Sequence, residues 1–358
     1  MPGKLTRPLR IVAIGGGTGL STLLSGLKHY TDAGAEPDLR AFNPPAGLTI
    51  EITAIVTVTD DGGSSGRLRR DFDVLPPGDI RNCMVALSAD EALLSKLFQY
   101  RFLQGRGLKG HSFGNLFLTA LTQLTGDFAH AITVSSEVLA SAGRIYPSTS
   151  SNVALEARLE DGTTVIGETR ISKSRSPIRQ ILLRPRRVRP LPEAVHAIQE
   201  ADLITLGPGS LFTSIVPNLL IEGIAQAIRR SNATKAYFSN LMWQPGETMQ
   251  FRASDHVQAL LRHAGGALID VAVLNTGAIP RPQRRRYAVE QAMPVEMDTE
   301  QIEAMGIQVV SESLLAATEK VRHDPHRTAA VAVRLALANW KQRQKAAVLR
   351  PMAAAARG

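Results

Sequence analysis

Five residues near the N-terminus, Gly15-Gly16-Gly17-Thr18-Gly19, form a glycine-rich run that suits anion binding. The run follows the apolar segment Ile11–Ile14 and precedes leucines at helical spacing, which predicts a strand, a glycine turn and a helix. Glycines allow close backbone approach to a ligand, and a helix N-terminus offers free N–H groups to an anion. Leu20 stands where the dinucleotide fingerprint G-x-G-x-x-G requires its third glycine, which argues against an NAD-dependent dehydrogenase. A tight turn without a ligand is the alternative.

A second polar run, Asp60-Asp61-Gly62-Gly63-Ser64-Ser65-Gly66, follows the predicted strand Ile50–Thr59. Adjacent carboxylates at a strand end suit Mg²⁺, so Asp60 and Asp61 are the candidates for metal binding and catalysis. The same carboxylates can instead bind a ribose or sugar hydroxyl. Gly63, Ser64 and Ser65 offer N–H groups and hydroxyls to an anion. An Asx-type turn with solvated carboxylates explains the run without any ligand.

A long helical pattern begins at Asp79, its predicted N-cap, and continues towards Phe102. Its first turn places Arg81 where it can contact phosphate and Asn82 where it can contact a sugar or a base. Arg101, near the helix end, either contacts a ligand or complements the C-terminus of the helix.

A further loop-to-helix junction supplies His111 as a candidate general acid or base, with Ser112 and Asn115 as hydrogen-bond partners. A capped helix with an incidental histidine is the alternative. The remaining predicted ligand-binding residues lie in two polar turns that follow apolar strands of the second half: Gly207, Gly209, Ser210, Asn240 and Gln244.

Strands that end in these turns and lead into helices predict an α/β fold with a Rossmann-like, doubly wound, mainly parallel sheet. Ligands of such sheets bind beyond the carboxyl ends of the strands. Alternation over Val153–Glu160 and the hairpin signal Asp161-Gly162 predict a β-rich insertion at residues 148–190. Residues 1–147 and 191–340 then form the two parts of one α/β domain, and residues 341–358 form a basic flexible tail. The other elements predicted from periodicity are helices at Phe113–Leu124, Phe128–Ala140, Leu219–Arg229, Asp255–His263 and Thr328–Trp340, and strands at Ala201–Leu206, Lys235–Met242 and Leu268–Leu274.

Composition restricts the partners of the chain. Among 358 residues, 41 Lys and Arg against 32 Asp and Glu give a net charge of +9, which suits anions in general. Only 5% of residues are aromatic, too few for a base-stacking surface, so nucleic acid is an unlikely partner. The single cysteine, Cys83, excludes an intrachain disulfide and fits a reducing compartment. No apolar stretch reaches the roughly 18 residues of a membrane span, so we expect a cytoplasmic protein without one.

Taken in order, these loops resemble the CofD-like superfamily, most closely its YvcK-type gluconeogenesis factor family. The resemblance extends over about residues 10–325 and implies a Rossmann-like body with the ligand across the strand ends. The matching stretches are Ile14–Leu20, Asp60–Arg67, Leu75–Asn82, Gln99–Phe102, Gly110–Leu116, Gly207–Leu220 and Gln244–Thr248, with weaker matches at Asn275–Gly277 and His323-Asp324.

The resemblance implies two alternative functions. Resemblance to the YvcK-type branch implies a cytoplasmic protein that binds UDP-sugars such as UDP-N-acetylglucosamine (UDP-GlcNAc). It also implies a link to cell shape and wall synthesis during growth on gluconeogenic carbon sources. The related CofD enzymes transfer a phospholactyl group from a nucleotide-linked donor to a deazaflavin with Mg²⁺, and Asp60 falls where they use an acidic residue near the substrate. A homo-oligomer is implied as well. Trp243 departs from the YvcK-type motif, which has a small hydroxyl residue there, and implies an altered pocket shape.

Overall fold

The computed structural model describes residues 7–33, 40–88 and 92–355. The strands are β1 (Leu9–Gly15), β2 (Ile50–Val56), β3 (Arg144–Pro147), β4 (Ala154–Leu159), β5 (Thr164–Ile166), β6 (Ile178–Arg184), β7 (Leu203–Leu206), β8 (Thr234–Phe238), β9 (Val271–Asn275) and β10 (Gln308–Glu312). The helices are α1 (Gly17–Leu27), α2 (Gly63–Phe72), α3 (Gly78–Leu87), α4 (Ala92–Gln99), α5 (Phe113–Thr125), α6 (Phe128–Val138), α7 (Glu168–Ile171), α8 (Pro192–Glu200), α9 (Val216–Leu219), α10 (Ile224–Arg230), α11 (Ala253–Ala264), α12 (Arg281–Val289), α13 (Thr299–Glu303) and α14 (Pro325–Ala355). A 3₁₀ turn, Lys28–Tyr30, follows α1, and a π-helical turn, Leu211–Ile215, precedes α9.

Seven strands form one parallel sheet in the order β10-β9-β8-β7-β1-β2-β3. Its centre is almost wholly apolar and buried, as expected for strands covered on both faces. In β1, Ile11 pairs with Ile52 on one side and Leu203 on the other. The strand order reverses between β1 and β7, which makes the gap beyond their carboxyl ends the topological switch point of the sheet. The predicted α/β class and parallel sheet are confirmed.

Helices cover the sheet in two groups. Helix α1 packs against α3 and α14, whereas α8 packs against α10 and β1. Right-handed crossovers on either side of a switch point place their helices on opposite faces of the sheet.

The buried carboxylate of Asp202 lies at the amino end of the sheet. It accepts two hydrogen bonds from Arg7 and one, at 3.4 Å, from Arg343 of α14. Charged hydrogen bonds of this kind fix α14 to the sheet.

The predicted β-rich insertion is confirmed as a three-stranded antiparallel sheet in the order β5-β4-β6. The hairpin at Asp161-Gly162 is present, with Gly162 at φ +84° and the Asp161 carboxylate accepting from the Thr163 N–H at 2.9 Å. Two arginines of the insertion are used internally, because Arg184 and Arg186 both donate to the buried carboxylate of Glu156. The strand that completes this hairpin, β5, is only three residues long, and α7 follows it after Gly167.

Several predicted element boundaries are wrong. The helix expected from Asp79 to Phe102 is divided into α3 and α4, and Pro77 takes the N-cap position. The helix expected at Leu219–Arg229 begins only at Ile224, as α10, after Gly223 at φ +87°, and the preceding helix α9 ends at Leu219. The last helix was predicted to end at Trp340, with a basic flexible tail after it at residues 341–358. It continues as α14 to Ala355, since Ala, Lys, Arg and Gln are strong helix formers, and residues 356–358 lie outside the described residues.

No single helix in the described ranges is both long enough and apolar enough to span a membrane. One bent pair, Leu211–Leu219 with Ile224–Arg230, passes the same test of length and composition only when combined, and it bends by 76°.

Candidate ligand-binding site

A cavity of about 510 Å³ opens at the switch point of the sheet. Its walls come from the start of α1, the turns after β7 and β8, α7 of the insertion, α12 and the segment before α14. The predicted ligand-binding residues that line it are Gly17, Thr18, Gly19, Gly209, Ser210, Asn240 and Gln244. Turns far apart in the sequence therefore meet in one cavity, at the end of the sheet where this topology places ligands.

The turns after β1 and β7 are packed backbone against backbone. A Cβ added to Gly19 would lie 2.4 Å from the Pro208 carbonyl oxygen and 2.7 Å from the Gly209 Cα, so only glycine fits there. Asn218 fastens the same junction, since its Nδ2 donates to the carbonyl oxygens of Gly15, at 3.3 Å, and Ser214, at 2.8 Å. The predicted residues Gly15, Gly16 and Gly207 lie in these turns but do not line the cavity.

A hydrogen-bonded chain of polar side chains forms the wall beside β8. Asn240 donates to the Oε1 of Gln244 at 3.0 Å, and the Nε2 of Gln244 donates to the Ser210 hydroxyl at 2.7 Å. Trp243, in the same turn, is half-buried, and its indole N–H donates to the Phe251 carbonyl oxygen at 3.0 Å. The tryptophan is thus a fixed part of the wall.

Asp79 is a buried carboxyl group that contacts the glycine turn of the cavity. Its carboxylate accepts a hydrogen bond from the N–H of Gly17, in the first turn of α1. Burial raises the pKa of Asp79 to about 6, and the nearby charge of Asp60 adds to this, while the Gly17 N–H and Arg81 oppose it. The sequence predicts only a capping role for Asp79, because a carboxylate that contacts a distant loop leaves no local pattern.

The shifted Asp79 carboxyl predicts a pH-dependent stability. Between its ordinary pKa of 3.8 and about 6, the folded protein holds a proton that the unfolded chain has lost, so stability falls as pH rises through this window. Asp79→Asn is expected to remove that decline, which amounts to at most about 3 kcal/mol. Urea unfolding midpoints of both proteins between pH 4 and pH 7 measure the difference, and parallel pH profiles would contradict the assignment.

A second group of polar side chains, formed by Ser64, Ser65, His111, Ser112 and Asn115, lies beside the cavity and does not line it. We call this group the second cluster. Ser64 and His111 share a hydrogen bond of 2.9 Å, and Asn115 donates to Ser65 at 3.5 Å. Ser112 caps α5 by accepting from the Asn115 N–H. Burial, helped by the charge of a nearby arginine, lowers the pKa of His111 and so favours its neutral form.

Two arginines complete this second cluster. Arg81 donates to the Oδ1 of Asn82 at 2.6 Å, and Arg101 donates to the Gly110 carbonyl oxygen at 2.5 Å. Arg101 thus holds the loop before α5, and it does not line the cavity. Gly63 is the first residue of α2 and, like the rest of this group, does not line the cavity.

The two adjacent aspartates are engaged separately. The Oδ1 of Asp60 accepts from the Gly62 N–H at 2.8 Å, as in an Asx turn. The Oδ1 of Asp61 accepts from both the N–H and the hydroxyl of Thr169, at 2.9 and 2.7 Å, and so anchors α7 of the insertion. Across the part of the chain that the structure describes, no group of three or more His, Cys, Asp or Glu residues is placed to hold a metal ion. Asp60 and Asp61 stay the predicted ligands of a Mg²⁺ ion, since such an ion usually keeps several waters and needs only one or two protein carboxylates.

Several side chains that line the cavity were not among the predicted site residues, including Glu168, Glu247, Tyr287 and Arg322. Arg322 is an exposed cation on the wall before α14, and the hydroxyl of Tyr287 accepts from the Val321 N–H at 3.2 Å. Glu247 and Arg322 lay within or beside matched stretches, at Gln244–Thr248 and His323-Asp324. Glu168 had no signal, because only the folded insertion brings it to the cavity.

Known proteins related to this chain share its fold. The family model described as 2-phospho-L-lactate transferase CofD matches residues 11–315. The gluconeogenesis factor of Bacillus subtilis (strain 168) is 46% identical over 327 residues, covering 91% of this chain and 98% of that protein. The gluconeogenesis factor of Halalkalibacterium halodurans is 44% identical over 315 residues, covering 88% of this chain and 92% of that protein. A crystal structure of a Bacillus halodurans protein superposes with a TM-score of 0.85 at 42% identity, covering 91% of this chain and all of that one. This chain therefore belongs to the CofD family and, within it, to the group of proteins named gluconeogenesis factors.

Proposed function

We propose that this chain is a gluconeogenesis factor that acts as a cytoplasmic, non-catalytic regulator and binds a nucleotide sugar of the UDP-GlcNAc type. In this role it supports cell morphogenesis and wall synthesis during growth on gluconeogenic carbon sources. The names of its relatives support the general role. The observation that carries the ligand assignment is the cavity at the switch point, built from the backbones of Gly17–Gly19 and Gly209.

The chemistry of the cavity suits a diphosphate joined to polar groups. The first turn of α1 carries N–H groups at the positive end of a helix, and Arg322 adds a full positive charge on another wall. Asn240, Gln244 and Ser210 offer amide and hydroxyl groups of the kind that orient a base or a sugar. A volume of about 510 Å³ lies within the usual range of small-molecule sites.

Calorimetric titration with UDP-GlcNAc, UDP and UMP tests the ligand assignment. We expect saturable binding of UDP-GlcNAc and UDP and much weaker binding of UMP, because UMP lacks the second phosphate. Failure of both diphosphates to bind the intact protein would end the assignment.

We also expect the protein to form a homo-oligomer. Light scattering of the same preparation measures its oligomeric state.

Complementation tests the cellular role. A Bacillus subtilis strain lacking its own gluconeogenesis factor is the host, since that protein is 46% identical to this chain. Expression of this chain is expected to restore growth and normal cell shape on a gluconeogenic carbon source. Full expression without rescue would count against the proposed role.

The alternative is a Mg²⁺-dependent phospholactyl transferase, and the match of the CofD family model to residues 11–315 favours it. It predicts that a nucleotide-linked phospholactate donor and a deazaflavin together yield a nucleoside monophosphate only when Mg²⁺ is added. Asp60→Asn is expected to reduce this release if Asp60 lies near the substrate. An inert mixture would rule the transferase out for these substrates.

A further inference from the structure

One side of the cavity is lined by apolar side chains. They come from the segment after β8, from α12 and the residues after it, and from the segment before α14: Leu241, Met242, Tyr287, Ala292 and Val321. These side chains belong to a small hydrophobic cluster that is separate from the main core. Phosphates and sugar hydroxyls gain little from an apolar surface, whereas a flat nucleobase buries its faces against one. This side of the cavity is therefore the part best suited to a base.

His323 lines the cavity on the same side, since its backbone forms a β-bridge with Leu315 of that cluster. Its Nε2 lies 3.1 Å from the carbonyl oxygen of Ser239, directly after β8. A carbonyl oxygen can only accept, so Nε2 carries a proton and donates it. Burial lowers the pKa of His323 to about 4, although the bond to Ser239 opposes this, so the ring is neutral near pH 7. The other ring nitrogen, Nδ1, is then an acceptor without a proton.

The Nδ1 of His323 is available to a ligand. No described residue donates a hydrogen bond to it, and unlike the Oδ1 of Asn240 it is not enclosed by protein atoms. His323 is partly exposed and lines the cavity, so the exposed part of its ring faces the cavity. The bond from Nε2 to Ser239 holds the ring in place before a ligand arrives. The apolar side thus carries a fixed acceptor that a ligand N–H can satisfy.

We propose that this apolar side is the base subsite, in which the Nδ1 of His323 accepts the ring N–H of uracil and so selects uridine over cytidine nucleotides. This subsite rests on the proposed function. Uracil carries a proton at N3, whereas N3 of cytosine carries a lone pair. Cytosine in the same position places two acceptors against each other and leaves both unpaired.

The position of the base subsite fits a nucleoside diphosphate that lies across the strand ends. Ser239 follows β8, which is two strands away from β1 in the sheet. Neighbouring strands are about 4.8 Å apart, so the base lies roughly 10 Å from the start of α1. The N–H groups at that helix start suit the diphosphate, and the interval between them accommodates the ribose.

UDP and CDP are the matched probes, because they share the ribose and the diphosphate and differ in the hydrogen-bonding edge of the base. Calorimetry on the intact protein is expected to show UDP binding at least about tenfold more tightly than CDP. His323→Phe keeps a planar ring and removes both nitrogens. This variant is expected to lose roughly fivefold or more in UDP affinity without losing CDP affinity, so that the preference for UDP largely disappears.

His323→Asn is the conservative variant, since its Oδ1 can accept in place of Nδ1, and it is expected to keep part of the preference for UDP. It replaces His323→Phe should thermal unfolding show the latter to be misfolded. His130→Phe is the matched control, because His130 is exposed on α6 and does not line the cavity. It is expected to bind both nucleotides like the parent.

Equal affinity of the parent for UDP and CDP, a measurement that needs no variant, would overturn the base subsite alone. An equal loss of UDP and CDP affinity in a folded His323→Phe would overturn the role of Nδ1, because the histidine would then only hold the wall in place. Failure of both nucleotides to bind the parent would overturn the proposed function and the base subsite with it.

Discussion

Gly19→Ala is expected to reduce UDP-GlcNAc affinity at least tenfold and to destabilise the fold by about 1–3 kcal/mol. The added Cβ would meet the Pro208 carbonyl oxygen at 2.4 Å and the Gly209 Cα at 2.7 Å, and both are backbone atoms that a rotamer change cannot move. The turns after β1 and β7 must then separate, and the N–H groups of α1 lose their position relative to Gly209. Calorimetry measures the affinity, and thermal unfolding measures the stability.

Gly15→Ala is the matched control from the same turn. A Cβ on Gly15 would meet Leu20 at 3.6 Å, an ordinary van der Waals contact, and Gly15 does not line the cavity. This variant is expected to retain most of the parent affinity and stability. If Gly19→Ala binds UDP-GlcNAc as the parent does, the two turns do not need their close packing to form the site.

Arg322→Ala is expected to weaken binding of UDP-GlcNAc and of UDP alike, by roughly 10–100-fold. Arg322 is the arginine that lines the cavity, and hydrogen bonds between charged partners contribute about 1.5–3 kcal/mol each. Because the residue is exposed, its loss removes a ligand contact without opening a hole in the core. Arg322→Lys is expected to recover part of the affinity, since it keeps the charge and loses the bidentate geometry.

Arg285→Ala controls for the loss of net charge, because Arg285 is exposed on α12 and does not line the cavity. Its affinity for both ligands is expected to stay within twofold of the parent. Equal effects of the Arg285 and Arg322 variants would assign the arginine contribution to long-range attraction and would contradict a direct phosphate contact. Repeating both titrations at higher salt separates these cases, since long-range attraction is screened.

The strand–turn–helix unit around Gly15–Gly19 was predictable from the sequence. An apolar run, a glycine cluster and leucines at helical spacing are local features, and each restricts the backbone within a few residues. The same holds for the hairpin at Asp161-Gly162. Helix ends were less predictable, as α3 and α14 show, because packing and local propensity decide them together.

The composition of the cavity was only partly predictable. Gly17, Gly209 and Gln244 stand in turns after strands, and the geometry of a parallel sheet brings such turns to one edge. Ser64 and His111 also stand in polar loops, yet they form a neighbouring cluster outside the cavity. The residue types of a polar loop therefore do not show whether the loop lines the cavity or belongs to the neighbouring cluster.

The sequence by itself determined the α/β class, the parallel sheet and the glycine turns, because periodicity and glycine act over short stretches of chain. Only the tertiary structure decided that Asp60 and Asp61 serve different partners, and that Glu168 and Arg322 reach the same cavity. Those facts depend on strand order and on how the insertion docks, which are set by contacts between residues more than a hundred positions apart. Side chains brought together by such contacts have no common pattern along the chain, so no local reading of the sequence could group them.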